Sequence, residues 1–184
     1  MGAEKPTVLL GVTGSIAAYK ACEVTRLLIK SGCEVLVVMT GNAAEFVTPL
    51  TFQTLSRNPV GTGLFGSAAD WMPGHISLAD RADLMLIAPC TANVIAKLAC
   101  GLADDLLTAT ALATRAPLLI APAMNTGMYD NPATRANVAT LLQRGVRLIE
   151  PAAEGELACG VSGRGRMAEP PEVVAAALEL LRRS

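Results

Sequence analysis

Short apolar runs alternate with helical patterns along the whole chain. The runs that resemble strands are TVLLGV, CEVLVVMT, a weak stretch from Val60 to Phe65, LMLIAP, PLLIAP and VRLIE. Most are apolar without interruption instead of alternating between apolar and polar positions. Such runs are typical of strands that are buried on both faces, as in a parallel sheet covered by two layers of helices.

Helical patterns separate these runs, and several begin or end at a recognisable signal. We expect helices up to about Lys30 with Gly32 as the terminating residue, from Thr48-Pro49, over Ile76 to Arg81, over Thr91 to Thr114 with a break near Gly101, from Pro132, and over the final PEVVAAALELLRR. No repeat or linker interrupts the pattern, so residues 1–184 are interpreted as a single domain. The predicted fold is α/β, a Rossmann-like (flavodoxin-like) doubly wound parallel six-stranded sheet in three layers.

Composition restricts the class of partner. Charged residues make up 17% of the chain, below the usual value of about 25%, so we expect part of the surface to be buried in a homo-oligomer. The net charge of -1 and the scattered basic residues argue against nucleic acid. No apolar run reaches the length of a membrane span, and the amino terminus lacks a signal-peptide pattern. A cytoplasmic protein without a membrane partner is therefore expected.

The cysteine and histidine content argues against a metal site. The five cysteines form no C-x-x-C pair, and His75 is the single histidine. Four of the cysteines are interpreted as small buried apolar residues: Cys22, Cys33, Cys90 and Cys100. Cys159 differs because it lies in the glycine-rich stretch EGELACGVSGRGRM, where a thiol can be accessible. On the same stretch, Arg164 and Arg166 could meet an anionic substrate.

The segment after the first strand, GVTGSIAAYK, has the character of a phosphate site. Gly11 and Gly14 allow a tight turn, while Thr13 and Ser15 bring hydroxyl groups to the start of a helix. The spacing matches neither G-x-G-x-x-G nor the Walker A motif. Thr40 stands near the end of the second strand, where an NAD site would carry an acidic residue. A capped turn without a ligand is the alternative.

Two further strand ends carry polar groups. In APCTANVIAKLACG, Thr91 and Asn93 could bind ligand oxygens or cap the helix that follows. In PAMNTGMYDNP, Asn125 lies between Met124 and Met128, an arrangement suited to holding a carboxylate or a flavin edge in a dry pocket. An asparagine that only forms a turn is equally compatible with this segment alone.

Four segments together closely resemble the homo-oligomeric flavin-containing cysteine decarboxylase family: GVTGSIAAYK, HISLADRADLMLIAPCTANVIAKLACGLADDLL, PAMNTGMYDNP and GELACGVSGRGRM. The resemblance covers nearly the whole chain. It implies FMN bound between the subunits of a homotrimer, or of a dodecamer of four trimers. The residues it assigns to the cofactor are Gly14, Ser15, Thr40, Cys90, Thr91, Ala92, Asn93 and Ala123. Those it assigns to the substrate are Met124, Asn125, Ala158, Arg164 and Arg166.

The resemblance also implies a reaction. Oxidation of the thiol-bearing carbon of a cysteinyl substrate gives a thioaldehyde, loss of carbon dioxide gives an enethiol, and reduction restores the thiol. His75 is the implied base or electrostatic partner, Asn125 holds the carboxylate, and Cys159 is the acid of the reductive half. The intact cysteine favours the family member that converts 4'-phosphopantothenoylcysteine to 4'-phosphopantetheine in coenzyme A biosynthesis. In many bacteria that member is fused to the ligase that makes the substrate, so a fused or separate ligase is an expected partner.

Two alternatives stay open. The first is a peptidyl-cysteine oxidative decarboxylase of a natural-product pathway; such relatives stop at the enethiol and lack this cysteine. The second is a non-catalytic FMN-binding regulatory subunit. The chain departs from the family pattern at Tyr129, where tryptophan is usual, and at Cys90, where serine or threonine is common.

Overall fold

The structure, a computed structural model, describes residues 5–65, 74–152 and 164–183. The strands are β1 (Thr7–Val12), β2 (Glu34–Met39), β3 (Val60–Gly61), β4 (Leu84–Cys90), β5 (Leu118–Pro122) and β6 (Arg147–Leu148). The helices are α1 (Ala18–Lys30), α2 (Gly41–Ala44), α3 (Pro49–Ser56), α4 (Gly74–Arg81), α5 (Ala92–Cys100), α6 (Leu106–Ala113), α7 (Thr126–Asp130), α8 (Pro132–Gln143) and α9 (Pro170–Leu181). In this part of the chain no helix is long and apolar enough to cross a membrane.

The six strands form one sheet in the order β3-β2-β1-β4-β5-β6, and all neighbouring strands are parallel. The predicted doubly wound parallel sheet is confirmed. The chain moves outward in one direction from β1 to β3 and in the other from β4 to β6. The order therefore reverses between β1 and β4, and sheets of this kind bind ligands beyond the carboxyl ends of the strands at that point.

Helices cover both faces of the sheet. On one face, Val8, Leu10 and Val12 of β1 pack in a core with residues of α1, α3 and α9. On the other face, Leu9 packs in a second core with residues of α5, α6 and α8. Burial of alternate side chains in two separate cores explains why the strands are continuously apolar in sequence.

The element boundaries differ from the sequence prediction in several places, among them β6, which contains two residues of the predicted VRLIE. Helix α1 begins at Ala18 because Ser15 and Ala18 first form turns, with Ser15 N donating to Thr13 O at 2.8 Å and Ala18 N to Ser15 O at 2.9 Å. Strand β3 contains two residues instead of the six predicted. The short helices α2 and α7 were not predicted, because elements of 4 and 5 residues show no readable periodicity. The predicted break is confirmed at Gly101, which has φ +71° at the end of α5.

Candidate active site

A cleft of about 400 Å³ lies at the carboxyl ends of β2, β1, β4 and β5. This volume is within the range of about 300–1,000 Å³ that is usual for small-molecule sites. The cleft includes the point where the strand order reverses. Its lining residues are Gly14, Ser15, Thr40, Gly41, Asn42, Thr91, Asn93, Val94, Lys97, Asp105, Ala123, Met124 and Met128.

The turn between β1 and α1 forms one wall. The residue that precedes α1, Ala17, makes no side-chain hydrogen bond to the first turn of α1, and Ser15 Oγ accepts from the backbone N–H of Ala17 at 3.3 Å. A Cβ atom on Gly14 would lie 2.4 Å from Cβ of Asn42, so a side chain at this position would displace the neighbouring segment. The amino end of a helix carries partial positive charge and favours an anion.

Two threonines at neighbouring strand ends act as helix caps and also line the cleft. Thr40 Oγ1 accepts from Ala43 N at 3.3 Å and caps α2. Thr91 Oγ1 accepts from Val94 N at 3.4 Å and caps α5. Each hydroxyl keeps its own hydrogen as a donor toward a ligand. The capping and the ligand-binding interpretations of Thr91 are therefore compatible with each other.

Asn93 and Cys90, which the resemblance assigns to the same cofactor, lie in different environments. Asn93 is exposed on the cleft, whereas Cys90 is fully buried in the core below α5 and α6. Burial raises the pKa of the Cys90 thiol far above its ordinary value, so the group is a neutral apolar one. Neither Cys90 nor Ala92 lines the cleft. A cofactor contact by these two residues stays a prediction.

The segment after β5 forms the opposite wall. Ala123 is buried, and Met124 and Met128 line the cleft. Asn125 Oδ1 accepts from Gly127 N at 2.8 Å and thereby caps α7. The turn interpretation of Asn125 is therefore confirmed. Asn125 is exposed and does not itself line the cleft, so the expected dry surroundings are not found among the described residues and its role as carboxylate donor stays a prediction.

A charge cluster on the cleft wall was missed by the sequence analysis. Lys97 Nζ lies 2.7 Å from Asp104 Oδ1 and 2.9 Å from Asp105 Oδ2. The hydrogen bonds to Asp104 and Asp105 raise the pKa of Lys97. Burial alone would raise the pKa of Asp105, but hydrogen bonds from Thr108 and Lys97 outweigh burial and lower it. The D-x-x-T spacing of Asp105 and Thr108, which form a capping box on α6, was the available sequence signal.

The two chain ends that flank residues 153–163 lie beside the Asn125 turn. Met124 N donates to Gly165 O at 2.9 Å, and Ala152 N donates to Arg166 O at 2.9 Å. Gly165 has φ +118°, and a Cβ atom there would lie 2.4 Å from the carbonyl oxygen of Met124. Ala158 and Cys159 themselves lie outside the described residues, so their predicted roles are not tested by the structure.

The two candidate arginines differ in their surroundings. Arg166 Nη2 lies 2.8 Å from Glu169 Oε1, and Lys20 Nζ lies 2.8 Å from the same oxygen. The hydrogen bond from Lys20 and then that from Arg166 hold the pKa of Glu169 below its ordinary value. Arg166 is thus committed to an ion pair at the start of α9, whereas Arg164 is exposed. A substrate contact by either arginine stays a prediction.

His75 lies in the first turn of α4 and is half-buried. Its Nδ1 atom is buried and has no hydrogen-bond partner among the described residues. The histidine is not part of the cleft lining. The described residues therefore do not place His75 in the cleft, and its catalytic role stays a prediction.

Tyr129 joins α7 to the segment after β6. The side chain is buried, its hydroxyl donates to Glu150 Oε2 at 3.3 Å, and the Arg135 guanidinium lies 5.3 Å from the ring centroid. Burial and then the negative charge of Glu150 raise the pKa of Tyr129. The phenol thus stays protonated as a donor and holds the helix that Asn125 caps.

Comparisons with known proteins define the class. The family model described as Flavoprotein matches residues 2–182, and the chain therefore belongs to the flavoprotein family. No group of three potential metal-ligating side chains occurs within the described ranges.

Individual relatives and solved structures are similar to this chain over nearly all of its length. The chain is 54% identical over 167 residues to the coenzyme A biosynthesis bifunctional protein CoaBC of Bacillus subtilis (strain 168), which covers 91% of this chain and 41% of that protein. The chain thus spans about two fifths of the length of that curated relative. Among solved structures, it resembles a cysteine-to-serine mutant of PPC decarboxylase complexed with pantothenoylaminoethenethiol, with 34% identity, 98% and 100% coverage and a TM-score of 0.84. It also resembles the FMN-binding protein AtHal3, with 34% identity, 98% and 99% coverage and a TM-score of 0.83.

Proposed function

We propose that this chain is the FMN-dependent carboxy-lyase that decarboxylates 4'-phosphopantothenoylcysteine to 4'-phosphopantetheine in coenzyme A biosynthesis. One observation carries the proposal: a single cleft is lined by the Gly14–Ser15 turn before α1 on one side and by Ala123, Met124 and Met128, the segment to which Asn125 belongs, on the other. The first feature suits a cofactor phosphate, and the second suits a substrate carboxylate. The relatives that are named for coenzyme A biosynthesis and for PPC decarboxylase support the same reaction.

The residues of the cleft fit FMN. The turn at Gly14 and Ser15 brings the Ser15 hydroxyl to the phosphate at the amino end of α1, and Gly14 carries no side chain at this point. Ala123 leaves room for a flat ring, while Met124 and Met128 provide an apolar contact. Bound FMN supplies reversible oxidation of the thiol-bearing carbon, which makes loss of the adjacent carboxylate feasible.

The chain's own groups orient the substrate and move protons. The amide nitrogen of Asn125 donates to the departing carboxylate, and the neighbouring Met124 and Met128 line the adjoining part of the cleft. Cys159 donates the proton of the reductive half, and His75 acts as base or electrostatic partner at the thiol. Gly165, which follows residues 153–163 in the chain, lies against Met124 and Asn125.

A homotrimer, or a dodecamer built from trimers, is part of the proposal. The buried Nδ1 of His75 lacks a partner within the described part of the chain, and a second subunit could provide one. Large apolar side chains are also exposed, among them Ile16, Tyr19, Phe46, Leu50, Leu102 and Leu112. The bifunctional relative supports a fused or separate ligase as a further partner. The single-domain boundaries and the cytoplasmic location stay predictions.

The test of the proposed function combines absorbance with product analysis. The purified protein should be yellow with an FMN spectrum, release carbon dioxide from 4'-phosphopantothenoylcysteine, and yield the saturated thiol. A peptidyl-cysteine decarboxylase would instead act on a peptide with a carboxyl-terminal cysteine and leave an enethiol. A regulatory subunit would bind FMN without turning over either substrate. A colourless protein with no affinity for FMN contradicts all three interpretations.

Replacement of Cys159 by serine should change the product without blocking decarboxylation. A serine hydroxyl is a far weaker acid than a thiol, so reduction should stop while carbon dioxide is still released. We expect a product mass about 2 Da below that of phosphopantetheine, the enethiol, to accumulate. Cys100 is exposed at the end of α5, so its interpretation as a buried residue is wrong, and Cys100→Ser is the matched control. Normal phosphopantetheine at the unmodified rate would show that Cys159 is not the acid.

A further inference from the structure

Thr13 is a fully buried polar residue whose hydroxyl group connects two strand ends. Its side chain is 0% exposed. Oγ1 donates to the carbonyl oxygen of Pro89 at 2.7 Å and accepts from the backbone N–H of Thr91 at 3.1 Å. The hydroxyl hydrogen and a lone pair are therefore both used within the protein, and Thr13 does not line the cleft. The sequence-based interpretation of Thr13 as a hydroxyl for the ligand is wrong, and its position points to another role.

These two hydrogen bonds occur where the sheet no longer holds the strands together. The register of β1 and β4 runs from Val8 opposite Leu84 to Gly11 opposite Ile87. Beyond Ile87, β4 is also irregular relative to β5. Thr13 lies two positions after Gly11, the last residue of β1 that is paired with β4. Its hydroxyl group bonds to Pro89 and Thr91, the residues before and after Cys90. The Thr13 side chain thus links the ends of β1 and β4 beyond the last residues that the two strands pair through their backbones.

The two strand ends joined by Thr13 carry opposite parts of the cleft. Gly14 and Ser15 follow Thr13 directly, while Thr91 and Asn93 begin α5. The separation of these two walls therefore depends on the bonds made by one hydroxyl group. Asn42, packed against Gly14, fixes the turn from its other side.

We propose that Thr13 is a positioning residue for the cofactor: its hydroxyl sets the distance between the phosphate-side turn and the start of α5, and so sets the affinity for FMN. The inference rests on the proposed function only in that FMN is the ligand of the cleft. Loss of the hydroxyl leaves the Pro89 carbonyl and the Thr91 N–H buried without a partner, which favours a shift of one strand end toward water. Such a shift misplaces groups that have to contact one rigid ligand together.

The test measures FMN dissociation from the purified holoenzyme by the rise of flavin fluorescence on dilution. Thr13→Val keeps the shape of threonine but lacks the hydroxyl, and we expect its Kd for FMN to rise roughly tenfold to a hundredfold. Thr13→Ser keeps the hydroxyl and should remain near the unmodified value. Thr13→Cys has a weak donor and should fall between the two. The visible circular dichroism of the bound flavin should change in the same order.

Thr25→Val is the matched control for a general loss of stability. Thr25 is also 0% exposed, and its Oγ1 donates to Ala21 O at 2.8 Å within α1. We expect this variant to retain FMN with unchanged affinity. Equal Kd values and spectra for Thr13→Val and the unmodified protein would overturn the inference, as would an equal loss of FMN from Thr25→Val.

Two further outcomes are distinguishable. If Thr13→Val does not fold, the comparison of Thr13→Ser with Thr13→Cys decides, because equal FMN affinities for these two variants contradict a role of the hydroxyl. If the unmodified protein binds no FMN, both the inference and the proposed function fail. If it binds FMN and Thr13→Val binds equally well, only the inference fails.

Discussion

Replacement of Asn125 by aspartate is expected to leave the fold and the bound FMN unchanged and to lower kcat/KM for decarboxylation about 1,000-fold. Aspartate keeps the oxygen that accepts from Gly127 N, so the cap of α7 is preserved. It replaces the donating amide nitrogen by a second oxygen that carries negative charge. At a separation of about 4 Å, repulsion of the substrate carboxylate costs about 4 kcal/mol, which corresponds to this loss in rate.

Steady-state assays with flavin-saturated enzyme, together with the FMN content of the purified protein, check this expectation. Asn125→Ser is the matched control, because serine also caps a helix but is neutral. It should lose activity from the missing donor and retain more activity than Asn125→Asp. Equal activity of Asn125→Asp and the unmodified enzyme would exclude Asn125 as the group that holds the carboxylate.

Replacement of Gly165 by alanine is expected to lower the free energy of unfolding by about 2 to 5 kcal/mol. Two costs add at this position. A φ of +118° is a conformation that residues other than glycine rarely adopt, and the new Cβ would lie 2.4 Å from the Met124 carbonyl oxygen. This neighbour is backbone, and Met124 N is itself bonded to Gly165 O, so the contact cannot relax by rotation of a side chain. Urea unfolding with linear extrapolation measures the change.

The control Gly145→Ala separates the cost of backbone strain from the cost of steric overlap. Gly145 also has positive φ, +87°, but a Cβ atom there meets nothing within 4 Å. This control should cost about 1 to 2 kcal/mol from backbone strain alone. Because Gly165 precedes the ion-paired Arg166 and lies against Met124, its replacement should also lower decarboxylase activity, whereas Gly145→Ala should not. Equal destabilisation by the two substitutions would contradict the predicted overlap with Met124.

Most of the fold was predictable because a strand that is buried on both faces is apolar at successive positions, and such a run is visible in the sequence. The run TVLLGV coincides with β1, Thr7–Val12, and PLLIAP contains β5, Leu118–Pro122. Strand β3, two residues long and only half-buried, lacks such a record. Helices α2 and α7 contain about one turn each and depend on caps from Thr40 and Asn125, which periodicity does not detect.

The cleft was predictable to the extent that its residues follow strands directly. Ser15, Thr91, Asn93, Met124 and Met128 line it as the strand-end argument expects, whereas Asn125 does not. Thr40 and Ala123, which the family resemblance assigns, also line it. Lys97 and Asp105 were missed because their ion pair depends on how α5 and α6 meet, which no local pattern encodes. The roles of individual residues at the cleft remain predictions from the family resemblance.

Two residues mark the physical limit of the sequence argument. Thr13 has a hydroxyl group of the kind that binds ligands, yet its side chain is buried, and the hydroxyl is hydrogen-bonded to two backbone groups. His75 has the chemistry of a catalytic residue, but the described chain offers no partner to its Nδ1 atom. Whether a polar side chain faces a ligand or the interior is decided by tertiary contacts, which residue type and spacing do not record.

The backbone hydrogen bond between Ala152 and Arg166 connects the described residues on the two sides of residues 153–163. Its donor and acceptor are main-chain atoms, as are those of the neighbouring bond between Met124 and Gly165. Apart from Gly165, whose conformation requires glycine, this attachment does not depend on side-chain identity. A segment taken from a relative with another substrate could therefore be joined at the same two points while the β1 turn and α5 keep their residues. We expect such a chimera to retain FMN, because the residues that we propose for the phosphate lie outside the exchanged segment.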